Sequence, residues 1–151
     1  MLRVTLPVVS LLVIAVGFAA ADEPKDKDKA AKREMAKLDG NWEKVSRVAD
    51  GKEVPRLPAE SPLSLTLKNG KFTIEFKDGK VADDGTFTID PTVDPKSMDM
   101  SGRGGNDILA IYELKEDELK ICSGPRGKAR PTKLESKEGS GYTIDTWKRV
   151  K

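Results

Sequence analysis

The sequence predicts an all-β domain, an antiparallel meander closed into an up-and-down barrel of about eight strands. Three observations predict it. From Leu38 onward, apolar and polar residues alternate with a period of two in short runs. Asn-Gly, Asp-Gly and Gly-Ser-Gly turns separate those runs, and no long helical pattern intervenes, which excludes βαβ units. A meander of this length leaves two unpaired edges, and closing the sheet removes both.

In chain order, the first element is a leader. Arg3, an apolar run from Leu6 to Phe18, and Ala19-Ala20-Ala21 have the basic, apolar and small-residue regions of a cleavable secretory signal. The expected boundaries are 1–21, with export to the periplasm or the extracellular space. The run is shorter than the roughly 20 apolar residues of a membrane span, so no span is expected after cleavage. An uncleaved anchor is the alternative. Residues 22–37 form a charged tether or short helix. Glu23-Pro24-Lys25-Asp26-Lys27-Asp28-Lys29 has nothing to bury, whereas Ala30 to Leu38 favours a helical turn or two.

The barrel domain is expected over 38–151. Its opening strand, about Trp42 to Val48, alternates imperfectly, and a bulge or a helical entry turn explains the irregularity. Leu63, Leu65 and Leu67 alternate with polar residues up to Asn69-Gly70, and Phe72, Ile74 and Phe76 make the partner strand. Phe87 and Ile89 mark the next strand, then Met98 and Met100. A Gly-rich loop follows over Ser101 to Asp107. Ile108 to Leu114 and Leu119 to Ser123 form a hairpin around Glu116-Asp117. A strand over Thr132 to Lys137 and a last one over Tyr142 to Arg149 complete the count.

The composition excludes several classes of function. The net charge is +2 with 34% charged residues of both signs interspersed, which gives no field for nucleic acid or an anionic membrane. There is no histidine, so neither Ser-His-Asp nor Cys-His catalysis is available. The single cysteine, Cys122, forms no internal disulfide, and its apolar neighbours point to a buried structural thiol. No catalytic residue, metal or cofactor is expected. Asp83-Asp84, Asp90, Asp94 and Asp99 lack the spacing of a calcium loop and read as solvated turn carboxylates.

Leu38-Asp39-Gly40-Asn41-Trp42 places a G-x-W at the entry to the first strand, and Trp147-Lys148-Arg149 ends the last one. This pairing resembles the lipocalin-like (calycin) barrels. The resemblance implies that Trp42 plugs one end of the barrel beside Gly40, and that Arg149, or Lys148 as the alternative, stacks on its face. A wider set of stretches resembles an uncharacterised family of exported domains expanded in planctomycete bacteria. It includes Asp50-Gly51-Lys52, Gly85-Thr86-Phe87, Ile111-Tyr112-Glu113-Leu114, Leu119-Lys120-Ile121-Cys122 and Arg130-Pro131. That likeness implies a small lipocalin-like domain with no assigned activity. The chain departs from typical ligand-carrying lipocalins in being short and lacking a disulfide.

The expected function is that of an exported, non-catalytic lipocalin-like module taking a small apolar or amphipathic ligand. The candidate contacts are Trp42, Phe72, Phe76, Tyr112, Arg126 and Arg130. The alternative is a packed envelope domain that works through its surface, with its protein partner unknown. Eight strands enclose an interior that side chains just fill or that one small ligand occupies, and the sequence leaves the choice open.

Overall fold

The computed structural model describes residues 23–55, 63–105 and 107–151. The expected leader, 1–21, lies outside them. The first described element is helix α1, Glu23–Leu38. It begins earlier than the charge run suggested. Pro24 falls in the first turn, where its missing N–H loses no bond, and Lys37 lies in the last turn, at the negative end of the helix dipole. Ala31, Glu34, Met35 and Leu38 follow the i, i+3, i+4, i+7 spacing of one face. Leu38 and Glu34 are buried, and Met35 packs on the core. Among the described residues, no helix is long and apolar enough to cross a membrane.

Nine strands follow among the described residues: β1 Gly40–Ala49, β2 Lys52–Glu53, β3 Ser64–Lys68, β4 Lys71–Glu75 and β5 Val81–Asp90; then β6 Ser97–Gly102, β7 Ile108–Lys115, β8 Glu118–Ser123 and β9 Thr143–Arg149. Each of β3 to β8 pairs antiparallel with the next, and β1 pairs with both β3 and β9. The result is a closed eight-stranded antiparallel barrel, with β2 a short spur on β1. The Asn69-Gly70 turn between β3 and β4 has φ of 51° and 72°, the left-handed pair that a two-residue hairpin needs. The register of β1 against β9 shifts between Lys44 and Ser46, so the imperfect alternation of the first strand is a bulge.

Residues paired directly across strands share a face, so the register separates interior from exterior. Trp42, Leu65 and Ile74 lie side by side on the inner face, as do Leu67 with Phe72, Phe87 with Met100, and Leu119 with Trp147. A second apolar layer lies outside. Ile111, Cys122 and Ile144 face outward in register, and Ile111 and Cys122 are buried. The connection from β8 to β9 covers them. Pro131 is fully buried, and the Cys122 thiol points at the Lys133 and Glu135 carbonyls, 3.7 and 3.8 Å from Sγ. The expected strand over Thr132 to Lys137 is therefore absent: these residues form a covering loop. Their alternation comes from lying on an apolar outer wall and not from pairing in the sheet. Burial raises the Cys122 pKa, which keeps the thiol protonated and inert.

Candidate ligand-binding site

The barrel has two unlike ends. At the first, Trp42 is fully buried, and its indole N–H donates to the Leu38 carbonyl at 3.0 Å. The Arg149 guanidinium lies 4.2 Å from the centre of the same ring. Arg149 also donates to the Lys37 carbonyl at 2.6 Å and to the Asp39 carbonyl at 2.9 Å. The last carbonyls of a helix have no partner within it. Here Trp42 and Arg149 supply donors, and a cation sits at the negative end of the helix dipole. Gly40 is required for this approach: a Cβ there would stand 2.6 Å from an Arg149 nitrogen, and its φ is +146°. The structure thus brings Gly40, Trp42 and Arg149 together, and Arg149, not Lys148, is the stacking partner.

Helix α1 seals this end. Glu34, 6% exposed, accepts from Lys96 at 2.5 Å and from Lys37 at 3.2 Å. Burial would raise the Glu34 pKa, but the two lysines outweigh it and the carboxyl stays below its usual range. An open groove of about 550 Å3 runs beside the helix, between Lys96, Asp117 and Arg149. Its charges answer one another, Glu34 with Lys37 and Lys96, and Asp117 with Arg149.

The middle of the barrel is solid. Phe72, Phe87, Met98, Ala110, Tyr112, Leu119 and Trp147 are all within 2% of complete burial. Two polar atoms are caught among them. The Tyr112 hydroxyl and the Trp147 indole N–H are buried and have no hydrogen-bond partner among the described residues. Burial, with Glu34 and Asp90 nearby, pushes the Tyr112 pKa up, so the hydroxyl stays neutral.

Partly buried apolar side chains flank the core at both ends: Met35, Ile89 and Leu114 toward the helix, and Leu63, Ile74 and Ile108 at the far end. What sets the far end apart is a charged wall on its β1–β9 side. Lys44 and Arg47 lie on the inner face because the β1 bulge skips one residue between them, and Asp145 faces Arg47 across the β1–β9 ladder. Asp145 accepts from Arg47 through two bonds of 2.7 Å and from Lys44 at 3.1 Å. The Lys44 ammonium is 4.6 Å from the Trp147 ring centre. Burial lowers the Lys44 pKa; Asp145 opposes that shift and Arg47 adds to it. Asp145 raises the pKa of Arg47. Asp83, also on the inner face, is held at 2.5 Å by Arg126 from the covering loop.

The remaining candidates fall in different places. Trp42, Phe72 and Tyr112 are core residues, and Trp42 belongs to the sealed end. Phe76 is 41% exposed on the rim, because β4 ends at Glu75 after a register shift. Arg126 reaches the open end. Arg130 does not: it lies on the outer wall, paired with Asp99 at 2.5 Å and donating to the Met98 and Ala110 carbonyls. The acidic residues do not converge, and no group of three or more potential metal ligands occurs among the described residues. Lys44, Arg47 and Asp145 were missed by sequence reading. The signal was Asp145, two residues before Trp147 and therefore on the same face. Comparison with known protein families, curated proteins and solved structures finds no match for this chain.

Proposed function

We propose that this protein is an exported, non-catalytic, lipocalin-like binding module whose ligand enters the barrel opposite helix α1. One observation carries the reading: the interior changes character along its axis. It is sealed by Trp42, Arg149 and the helix at one end and packed in the middle. At the other end, partly buried Leu63, Ile74 and Ile108 share the inner surface with the charged Lys44, Arg47 and Asp145. A half-open site with an apolar wall and a polar wall suits a small amphipathic guest. The filled middle limits its depth, so the guest is smaller than the cargo of a hollow barrel. Export rests on the basic, apolar and small-residue regions of the leader, and lipocalin-like kinship on Gly40, Trp42 and Arg149.

Native mass spectrometry of the protein taken from its own envelope is expected to show a small co-purifying molecule. Ligand-free protein in every preparation would defeat the reading.

The packed middle favours a second reading, a ligand-free domain acting through its surface. On either reading, Tyr112→Phe removes a hydroxyl buried without a partner among the described residues, and is expected to stabilise the protein by about 1 kcal/mol in urea unfolding.

A further inference from the structure

Near-balanced charge over the whole chain conceals a segregated face on α1. Lys25, Lys29, Lys32 and Arg33 follow the i, i+4, i+7, i+8 spacing of one helix face, and all four are exposed. That face is turned away from Glu34 and Leu38, which are buried against the barrel. From Lys29 to Lys37 the exposed residues are Lys29, Lys32, Arg33, Ala36 and Lys37, and the one carboxylate in the stretch is the buried Glu34. Glu34 engages Lys37 and Lys96, while Lys29, Lys32 and Arg33 make no ion pair among the described residues. Every other described arginine has a carboxylate partner. Asp26 and Asp28 belong to the preceding turn. A second, independent feature lies around the helix. Val93, between β5 and β6, and Val150, after β9, are the two most exposed large apolar residues among the described ones. Both lie at the helix end of the barrel. Lys96 ties the β5–β6 connection to Glu34, and Arg149 ties the end of β9 to the last carbonyls of α1.

We propose that the outward face of α1 is a docking surface for a bilayer with anionic headgroups, on which the barrel rests helix-first. Charge complementarity and the two valines carry the proposal together. The surface potential of an anionic leaflet attracts each nearby lysine or arginine, by about fivefold in binding. Val93 and Val150 gain by leaving water at the headgroup boundary. A soluble polyanion satisfies the cations equally well but does nothing for the valines. The apolar face of α1 stays on the barrel, so the contact is peripheral, and the far end points away from the surface. The proposal holds whether or not the barrel carries a guest.

For the test, the protein is taken from its own envelope, so that its leader is processed as in the cell. It is titrated with vesicles of phosphatidylcholine alone, or with about a third phosphatidylglycerol. Binding to the mixed vesicles is expected to be at least about tenfold tighter, and to be lost as salt rises from about 0.05 M to about 0.5 M. Lys29→Gln, Lys32→Gln and Arg33→Gln together are expected to weaken it about 100-fold, three factors of about five. Glutamine keeps the helix propensity of these exposed positions, and an unchanged urea midpoint shows that the variant is folded. Lys52→Gln, Lys77→Gln and Lys128→Gln together remove the same charge from exposed positions at the far end. That control is expected to change binding by less than about twofold. Val93→Ser with Val150→Ser is expected to weaken vesicle binding about fivefold and to leave binding of polyphosphate unchanged. Equal binding to the two vesicle types, an equal loss in the far-end control, or no binding to either vesicle overturns the proposal. Binding of polyphosphate as tight as that of the mixed vesicles, with no effect of the valine substitutions, overturns the bilayer in favour of a soluble polyanion.

Discussion

Trp42→Ala is expected to destabilise the protein by about 3–5 kcal/mol, the range for deleting a large, fully buried aromatic side chain. The loss has three parts. An indole is removed from a position with no solvent exposure, the Leu38 carbonyl loses its donor, and the Arg149 guanidinium loses the ring 4.2 Å away. Arg149→Met keeps the aliphatic stem and removes the charge and the bonds to the Lys37 and Asp39 carbonyls, for an expected loss of about 2 kcal/mol. Urea unfolding of both variants and of the double variant isolates their shared term. A coupling of about 1 kcal/mol is expected, since each residue acts partly through the other. Additive losses would mean that the stack contributes nothing beyond packing. The circular dichroism of Trp42→Ala is a second readout. The C-terminus of α1 is tied to the barrel through these two side chains, so the helical signal is expected to weaken before the sheet unfolds.

The stack at the sealed end was legible through a resemblance: a glycine two residues before a tryptophan at the start of the first strand, with a basic residue at the end of the last, is the pattern of the lipocalin-like barrels, and the pairing of β1 with β9 brings the two together. The barrel itself was legible from local signals: a period of two and Asn-Gly turns state strand and hairpin directly. Two features resisted. Thr132 to Lys137 alternate like a strand but cover Ile111 and Cys122 from outside, because alternation reports one apolar face and not what lies against it. Lys44 and Arg47 sit three apart, so a strict period of two puts them on opposite faces. The bulge at Val45 puts them on the same face, and the sequence suggested an irregularity there without fixing its position. One residue of register thus separates an ordinary surface from a charged interior wall. Arg130 was misplaced for a related reason. Its loop begins at the open end, but Pro131 anchors it to the outer layer and takes Arg130 with it.

The charged wall makes the second large effect a paradoxical one. Asp145→Asn preserves shape and removes the one carboxylate that Lys44 and Arg47 share among the described residues. Two cations then face each other with little water around Lys44. Breaking a fully buried pair in this way costs about 3–5 kcal/mol. Arg47 is partly solvated, which lowers the expected loss to about 2–3 kcal/mol. Adding Lys44→Met to Asp145→Asn removes the repulsion and is expected to restore at least about 1 kcal/mol. A loss below about 0.5 kcal/mol, or no recovery in the double variant, would mean that the cluster is fully hydrated.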